Sequence, residues 1–369
     1  MTPSWNRIVV KIGTSLLTTP EGNFSPDCIA GIVKELCCLR QSGKEIILVT
    51  SGAIGAGMCK LDLKRRPATI PLKQACAAVG QNYLMNSYKH LFNEYEQTIA
   101  QILLTYQDLS NRKSYLNTYN TLLTLLQYTV IPIINENDTV AIEEIKFGDN
   151  DTLSSLVAQL VEADLLLLLT DIDGLYSRTS NGKGFGELIP VVEDITPEII
   201  NMAKGTNNKF TTGGMATKIK AAQMATQAGI TVIILNGRKQ GIISQILEGK
   251  ECGTTFVAKK DGLSNRKRWI MYNLKTAGEI IIDDGAREAI LNQGKSLLPS
   301  GVMNVKGRFE EGDAVVVMSI HGDTLARGLV NYSRGDLIKI KGKQSTQIEE
   351  ILGYEYGEEI IHRDNLVMV

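Results

Sequence analysis

Hydrophobic positions along the first two thirds of the chain switch between two periods. Short runs rich in β-branched residues and leucine, at 7–12, 45–50, 99–105, 130–135, 165–169 and 231–235, predict strands. Between them lie helical periods at 26–40, 71–92, 112–127, 151–162, 217–228 and 242–247. In the first of these, Ile29, Ile32, Val33 and Leu36 share one stripe. Strands alternating with helices predict a mostly parallel sheet covered on both faces. Such sheets collect ligands at the carboxyl ends of their strands. After the basic stretch 259–268 the pattern changes to short alternating segments punctuated by glycine: AGEIIID, GDAVVVMS, LARGLV and DLIKIKG. These predict a small, mainly β module. The expected division is therefore 1–258, a linker at 259–274, and 275–369.

The bulk numbers narrow the function classes. The chain has 369 residues, 43% of them hydrophobic, and a formal net charge of -1. That length predicts two domains, and that charge gives no electrostatic footprint for nucleic acid. The tail from 275 onward carries 11 Lys and Arg against 15 Asp and Glu, so RNA is not expected as a partner. The longest apolar run, LLLLL at 165–169, is far too short to cross a bilayer, and no leader segment is apparent. A cytoplasmic location is expected. Six cysteines are scattered without a CxxC pair, and the three histidines, His90, His321 and His362, neighbour no G-x-S-x-G signal. A structural zinc site and a Ser-His-Asp hydrolase are both disfavoured.

Four loops that follow strands carry the candidate chemistry. In KIGTS, a lysine ends a β-branched run. Either Lys11 turns out into solvent, or the strand delivers an ammonium to an anion, with Gly13 and Thr14 allowing close backbone approach. In TSGAIGAG, three glycines stand where a plain turn needs one, which favours an anion cradle or a small-substrate site around Ser51 and Gly52. The stretch from INENDTV to GDNDTLSSL gathers Asn135, Glu136, Asp138, Asp149, Asn150 and Asp151. Asp151 alone reads as a helix N-cap. The whole polar cluster could grip the ammonium of an amino acid or hold Mg²⁺ through waters. The last pair is Thr170-Asp171, at the end of the leucine strand, and TTGGMATK. There Lys218 falls in the first turn of a helix, where the dipole disfavours a cation unless an anion lies between.

Taken together, VVKIGTS, VTSGAIGAG, AAVGQ, QILLT, IPIINENDTV, KFGDNDTLS, LLLLTDIDGLY and GTNNKFTTGGMATKIKAA resemble the amino acid kinase family. The resemblance is to the branch that phosphorylates glutamate. The tail segments NRKRWI, AGEIIIDDGA, SLLPSGV and ILGYEYG are similar to that branch's PUA domain. The likeness implies an open α/β/α sandwich around a mostly parallel sheet, plus a small β module. It implies ATP-dependent transfer of phosphate to the γ-carboxylate of L-glutamate, with Mg²⁺ accompanying ATP, as the first step toward proline. By the same resemblance Lys11 and Lys218 neutralise the travelling phosphoryl group. Asp151 organises them and Asp149 helps. Ser51, Gly52, Asn135, Asp138 and Asn150 hold glutamate. Lys11, Gly13, Thr14, Thr170 and Asp171, with Thr212, Gly213, Gly214, Met215, Ala216, Thr217 and Lys218, hold the nucleotide. No direct metal ligand is identifiable. Proline as feedback inhibitor, a homo-oligomer, and transfer of product to glutamate 5-semialdehyde dehydrogenase are further expectations from the resemblance. A kinase acting on N-acetylglutamate or aspartate, an RNA-binding protein with a vestigial kinase half, and a purely structural tail at 275–369 that aids oligomer assembly or tunes regulation are the rival readings.

Overall fold

The computed structural model describes residues 5–19, 24–141, 149–178, 185–203, 214–259, 270–271, 274 and 276–369. The chain divides into two compact units, Met1–Leu109 with Lys113–Asp261, and Ser110–Arg112 with Gly262–Val369.

The first unit is built on an eight-stranded sheet. Its strands are β1 (Arg7–Ile12), β2 (Glu45–Val49), β3 (Ile99–Leu104), β4 (Ile131–Glu136), β5 (Leu165–Thr170), β8 (Val191–Val192), β9 (Thr231–Asn236) and β10 (Thr254–Phe256). A separate hairpin pairs β6 (Tyr176–Arg178) with β7 (Phe185–Leu188). The order across the large sheet is β3-β4-β2-β1-β5-β9-β10-β8, and every pairing is parallel except β9 with β10. The mostly parallel, doubly covered sheet expected from the alternation is thus the architecture found.

Alternate residues of the central strands enter two different cores. Val9, Ile47, Val49, Leu166, Leu168, Val232 and Ile234 pack on one face. Helices α5 (Arg112–Gln127), α6 (Asn150–Leu160), α7 (Pro197–Ala203) and α8 (Met215–Gln227) contribute to that core. Ile8, Val10, Ile12, Ile46, Leu48, Leu165, Leu167, Leu169 and Leu235 pack on the other, against α1 (Ala30–Gln41), α3 (Ile70–Asn93) and α9 (Ile242–Leu247). The strand period of two puts Lys11 on the same face as Val9, toward α6 and α8. That is how a lysine is delivered into an apolar interior.

Two short helices complete this unit, α2 (Ala53–Lys60) and α4 (Tyr106–Ser110). Helix α2 occupies the glycine-rich run for which the sequence suggests an anion cradle or a small-substrate site. Gly52, at φ +94, caps it in the left-handed region. Gly57 serves packing instead: a Cβ there would lie 1.8 Å from the Cys76 carbonyl oxygen of α3. Gly80 of α3 answers it, with a Cβ 1.8 Å from the Ala53 carbonyl oxygen. Gly57 and Gly80 together therefore make one backbone-to-backbone helix crossing.

The second unit has a five-stranded sheet ordered β12-β11-β13-β14-β15. These are β11 (Gly278–Ile282), β12 (Val302–Gly307), β13 (Ala314–Ser319), β14 (Thr324–Leu329) and β15 (Leu366–Met368). Its core joins Ile280, Ile282, Val315 and Val317 to Tyr332, Leu337, Ile340, Ile348 and Ile360. The unit also carries α10 (Asp284–Leu291), α11 (Arg334–Ile340) and α12 (Ile348–Leu352), more helix than the alternating pattern suggested. The first two are capped by Asp283 and Ser333, which accept from Ala286 N (2.7 Å) and Asp336 N (3.2 Å).

Candidate active site

The carboxyl ends of β1, β2 and β5 and the N-termini of α6 and α8 surround a small cleft open to solvent. It is lined by Lys11, Gly13, Thr14, Ser15, Ser51, Asp149, Asn150, Thr170, Asp171 and Lys218. At its floor sits the carboxylate of Asp151, fully buried. Lys11 Nζ lies 2.5 Å from Asp151 Oδ1 and Lys218 Nζ lies 3.2 Å from Oδ2. Thr217 Oγ1 also donates to Oδ2, at 2.7 Å. Two residues more than 200 positions apart thus share one buried anion.

Asp151 explains how Lys218 can occupy the first turn of α8: the anion that offsets the dipole is part of the protein. The sequence suggested Asp151 as the N-cap of α6. The cap is Asp149 instead, whose Oδ1 accepts from Thr152 N at 2.7 Å. Capping two residues earlier frees Asp151 to point inward between the lysines.

The electrostatics follow from burial and pairing. Burial opposes ionisation of Asp151, but Lys11 and Lys218 beside it hold its carboxyl well below the usual carboxylate range. Burial pulls Lys218 below an ordinary lysine, and Asp151 resists that pull. Asp149 is pushed up by its own burial and by the neighbouring Asp151 charge. The buried triad is therefore mutually dependent: remove one member and the others are left charged in an apolar setting.

A second network lines the β2–β4 side. Asn150 Nδ2 donates to the Thr50 carbonyl (2.6 Å), Asn135 Oδ1 (2.9 Å) and Ser51 Oγ (3.0 Å). Asn135 in turn donates to Gln81 Oε1 of α3 at 2.8 Å, and its own Oδ1 accepts from Glu136 N at 2.9 Å. Thr50 Oγ1 shares a 2.7 Å hydrogen bond with Tyr88 OH. Backbone groups that can only donate or only accept fix the orientation of the Asn135 and Asn150 amides. Gln81 and Tyr88 were not singled out from sequence, because a glutamine and a tyrosine inside a helical period read as packing.

Among the residues expected at the site, Lys11, Gly13, Thr14, Ser51, Asp149, Asn150, Thr170, Asp171 and Lys218 line the cleft, and Asp151, Asn135 and Thr217 stand directly behind it. Gly52, Gly214, Met215 and Ala216 are the local backbone at the starts of α2 and α8. Asp138 lies in the turn after β4 and does not line this cleft. Thr212 and Gly213 fall outside the described residues. No cluster of three or more His, Cys, Asp or Glu suited to a metal occurs among the described residues. The cleft does offer Asp149 and Asp171, which suits Mg²⁺, an ion that keeps several waters and takes one or two carboxylates besides phosphates. No described helix is long and apolar enough to cross a membrane.

Comparison with known proteins identifies the family. Residues 6–236 match the amino acid kinase family and residues 278–352 match the PUA domain. A glutamate 5-kinase of Thermoanaerobacter sp. (strain X514) is 49% identical over 363 residues, covering 98% of both chains. One from Geobacter sulfurreducens is 48% identical, covering 98% of this chain and 97% of the other. The solved structure of a Giardia carbamate kinase shares the fold, with a TM-score of 0.50 over 70% of this chain and 100% of that one, at 19% identity. The chain belongs to the amino acid kinase family, and within it to the glutamate 5-kinases that carry a C-terminal PUA domain.

Proposed function

We propose that the cleft transfers the γ-phosphate of ATP to the γ-carboxylate of L-glutamate, giving L-glutamyl 5-phosphate and ADP, the first step of proline biosynthesis. The observation that carries this reading is the pair of ammonium groups, Lys11 and Lys218, fixed on one buried carboxylate at the cleft floor. Phosphoryl transfer demands chiefly positioning and charge stabilisation. The nucleophile needs no general base, because a glutamate carboxyl with an ordinary pKa of about 4.3 is already ionised at neutral pH. That fits a cleft whose lining includes no histidine. The obstacle is repulsion between carboxylate and polyphosphate. Lys11 and Lys218 offset it most strongly as charge spreads over the transferring group.

The rest of the lining divides by strand. Ser51 after β2, Asn135 in β4 and Asn150 at the start of α6 would hold the amino acid. Gly13, Thr14, Thr170, Asp171 and the start of α8 would hold the nucleotide. Asp138 would hold the substrate ammonium from its turn. Mg²⁺ bound to the phosphates, with Asp149 and Asp171 near it, would supply further charge neutralisation. Inhibition by proline, assembly of several copies, a cytoplasmic location and delivery of the labile acyl phosphate to a dehydrogenase belong to the same reading. The test is ADP release with ATP and, side by side, glutamate, N-acetylglutamate, aspartate and carbamate, repeated with proline. Selective turnover of glutamate supports the proposal. Equal or greater turnover of another acceptor reassigns the substrate.

A further inference from the structure

The turn after β9, Asn236-Gly237-Arg238-Lys239, ties together both walls of the cleft's β5 side. Gly237 N donates to the Thr170 carbonyl at 2.9 Å. Asn236 Nδ2 and Lys239 Nζ both reach Asp173 Oδ1, at 2.9 and 2.8 Å. On the other wall, Arg238 Nη2 donates to the Ser15 carbonyl at 2.7 Å, across 223 positions of sequence. Gly237 is pressed so closely on the same loop that a Cβ there would lie 2.5 Å from Leu16 Cδ1. The turn is therefore bolted to KIGTS on one side and to Thr170–Asp173 on the other.

Its two cations differ in what they have left to give. Lys239 is paired with Asp173, whose carboxyl is held low chiefly by that hydrogen bond. Arg238 has no carboxylate partner among the described residues, and its side chain is exposed at the rim beside Ser15, a lining residue. A guanidinium has five N–H donors in a planar fork, and a single one goes to the Ser15 carbonyl.

Among the described residues, the cleft carries little positive charge for the ligand assigned to it. Its two ammoniums face three carboxylates, Asp149, Asp151 and Asp171. A polyanionic nucleotide, even with Mg²⁺ on its phosphates, is held better where a further cation stands beside Lys11 and Lys218. Strand order decides which ligand Arg238 would meet. Ser51 and Asn135 follow β2 and β4 on one side of β1, while Arg238 follows β9, beyond β5, on the other. Resting on the kinase reading above, we infer that Arg238 is a further nucleotide-binding residue. One N–H fixes the KIGTS loop, and the remaining fork takes the phosphates of the bound nucleotide.

Three variants of the full-length protein separate charge from loop support. Arg238→Met removes both, Arg238→Gln can still donate to the Ser15 carbonyl without charge, and Arg238→Lys keeps charge without the fork. Binding of AMP, ADP and ATP with Mg²⁺ is measured calorimetrically for each. The expected result is a loss that grows with phosphate number. ATP should weaken roughly tenfold or more in both Arg238→Met and Arg238→Gln, the scale of one charge-assisted hydrogen bond. AMP should change less than about twofold, and Arg238→Lys should recover much of the ATP affinity. Equal weakening of all three nucleotides, wild-type ATP binding in Arg238→Gln, or no loss in any variant would overturn the assignment. If the wild type bound ATP in this phosphate-dependent way but released no ADP with glutamate, the proposed reaction would fall while Arg238 kept its role.

Discussion

Asp151→Asn is the substitution whose consequences the site fixes most tightly. It keeps the side chain's shape and removes its charge, leaving Lys11 and Lys218, 5% and 6% exposed, without their shared counter-ion. Removing one partner of a buried ion pair costs about 3–5 kcal/mol. Against a typical domain stability of about 5–15 kcal/mol, that is roughly a fifth of the total or more. With a urea slope of about 1–3 kcal/mol per molar, the unfolding midpoint should fall by at least about 1 M. Turnover should fall at least about 100-fold, since both ammoniums lose the group that aims them. The pH dependence gives a sharper signature. Burial already depresses Lys218, and without Asp151 only the weaker pull of Asp149 opposes it. A lysine whose folded-state pKa is depressed destabilises the fold while protonated, so stability climbs as pH rises through that value. Activity, which needs the ammonium, falls over the same interval. The variant should therefore become more stable and less active together as pH is raised through that depressed value toward the ordinary lysine range. Replacing Lys218 by Met in the Asp151→Asn background should restore part of the lost stability. If Asp151→Asn unfolds at the wild-type urea midpoint and keeps turnover within threefold, the shared-anion account is wrong.

Three further outcomes are expected. Lys11→Ala and Lys218→Ala should each lower kcat at least about 100-fold in the ADP-release assay; near-normal turnover in both would remove the ammoniums from the transition state. Gly57→Ala should lower the melting temperature markedly, because a Cβ 1.8 Å from a backbone oxygen forces α2 and α3 apart. Overpacking of this kind typically costs about 1–3 kcal/mol, and an unchanged melting curve would contradict the crossing. Asp138→Ala should raise the glutamate KM while leaving kcat and the ATP KM close to wild type; an unchanged glutamate KM would rule out its grip on the substrate ammonium.

Much of this was written in local sequence. The β-branched and leucine runs specify central strands, and their ends identify where Lys11, Ser51, Asn135 and Thr170 emerge. The sequence's weakness lay where a residue's partner is distant along the chain. Helix α2 was hidden because glycines depress helix propensity, and only the Cys76 carbonyl on α3 explains Gly57. Asp149 and Asp151 are equally good caps on local grounds, and the two lysines decide between them. The short strands β8 and β10 and the hairpin β6–β7 offer two to four residues each, too few for a period to register. The Asn236–Lys239 turn carries no signal beyond an Asn-Gly pair, and its importance comes from loops 60 to 220 positions away.

The crossing of α2 and α3 has a mechanical implication. Where main chain rests on main chain, no pliable side chain stands between to absorb a displacement. The loop bearing Ser51 and the helix bearing Gln81 must then travel as one plate, and Asn135 and Asn150 ride on both. Retuning the acceptor specificity of this enzyme by substitution would thus succeed at the rims of that plate. At its hinge line, it would cost the fold first.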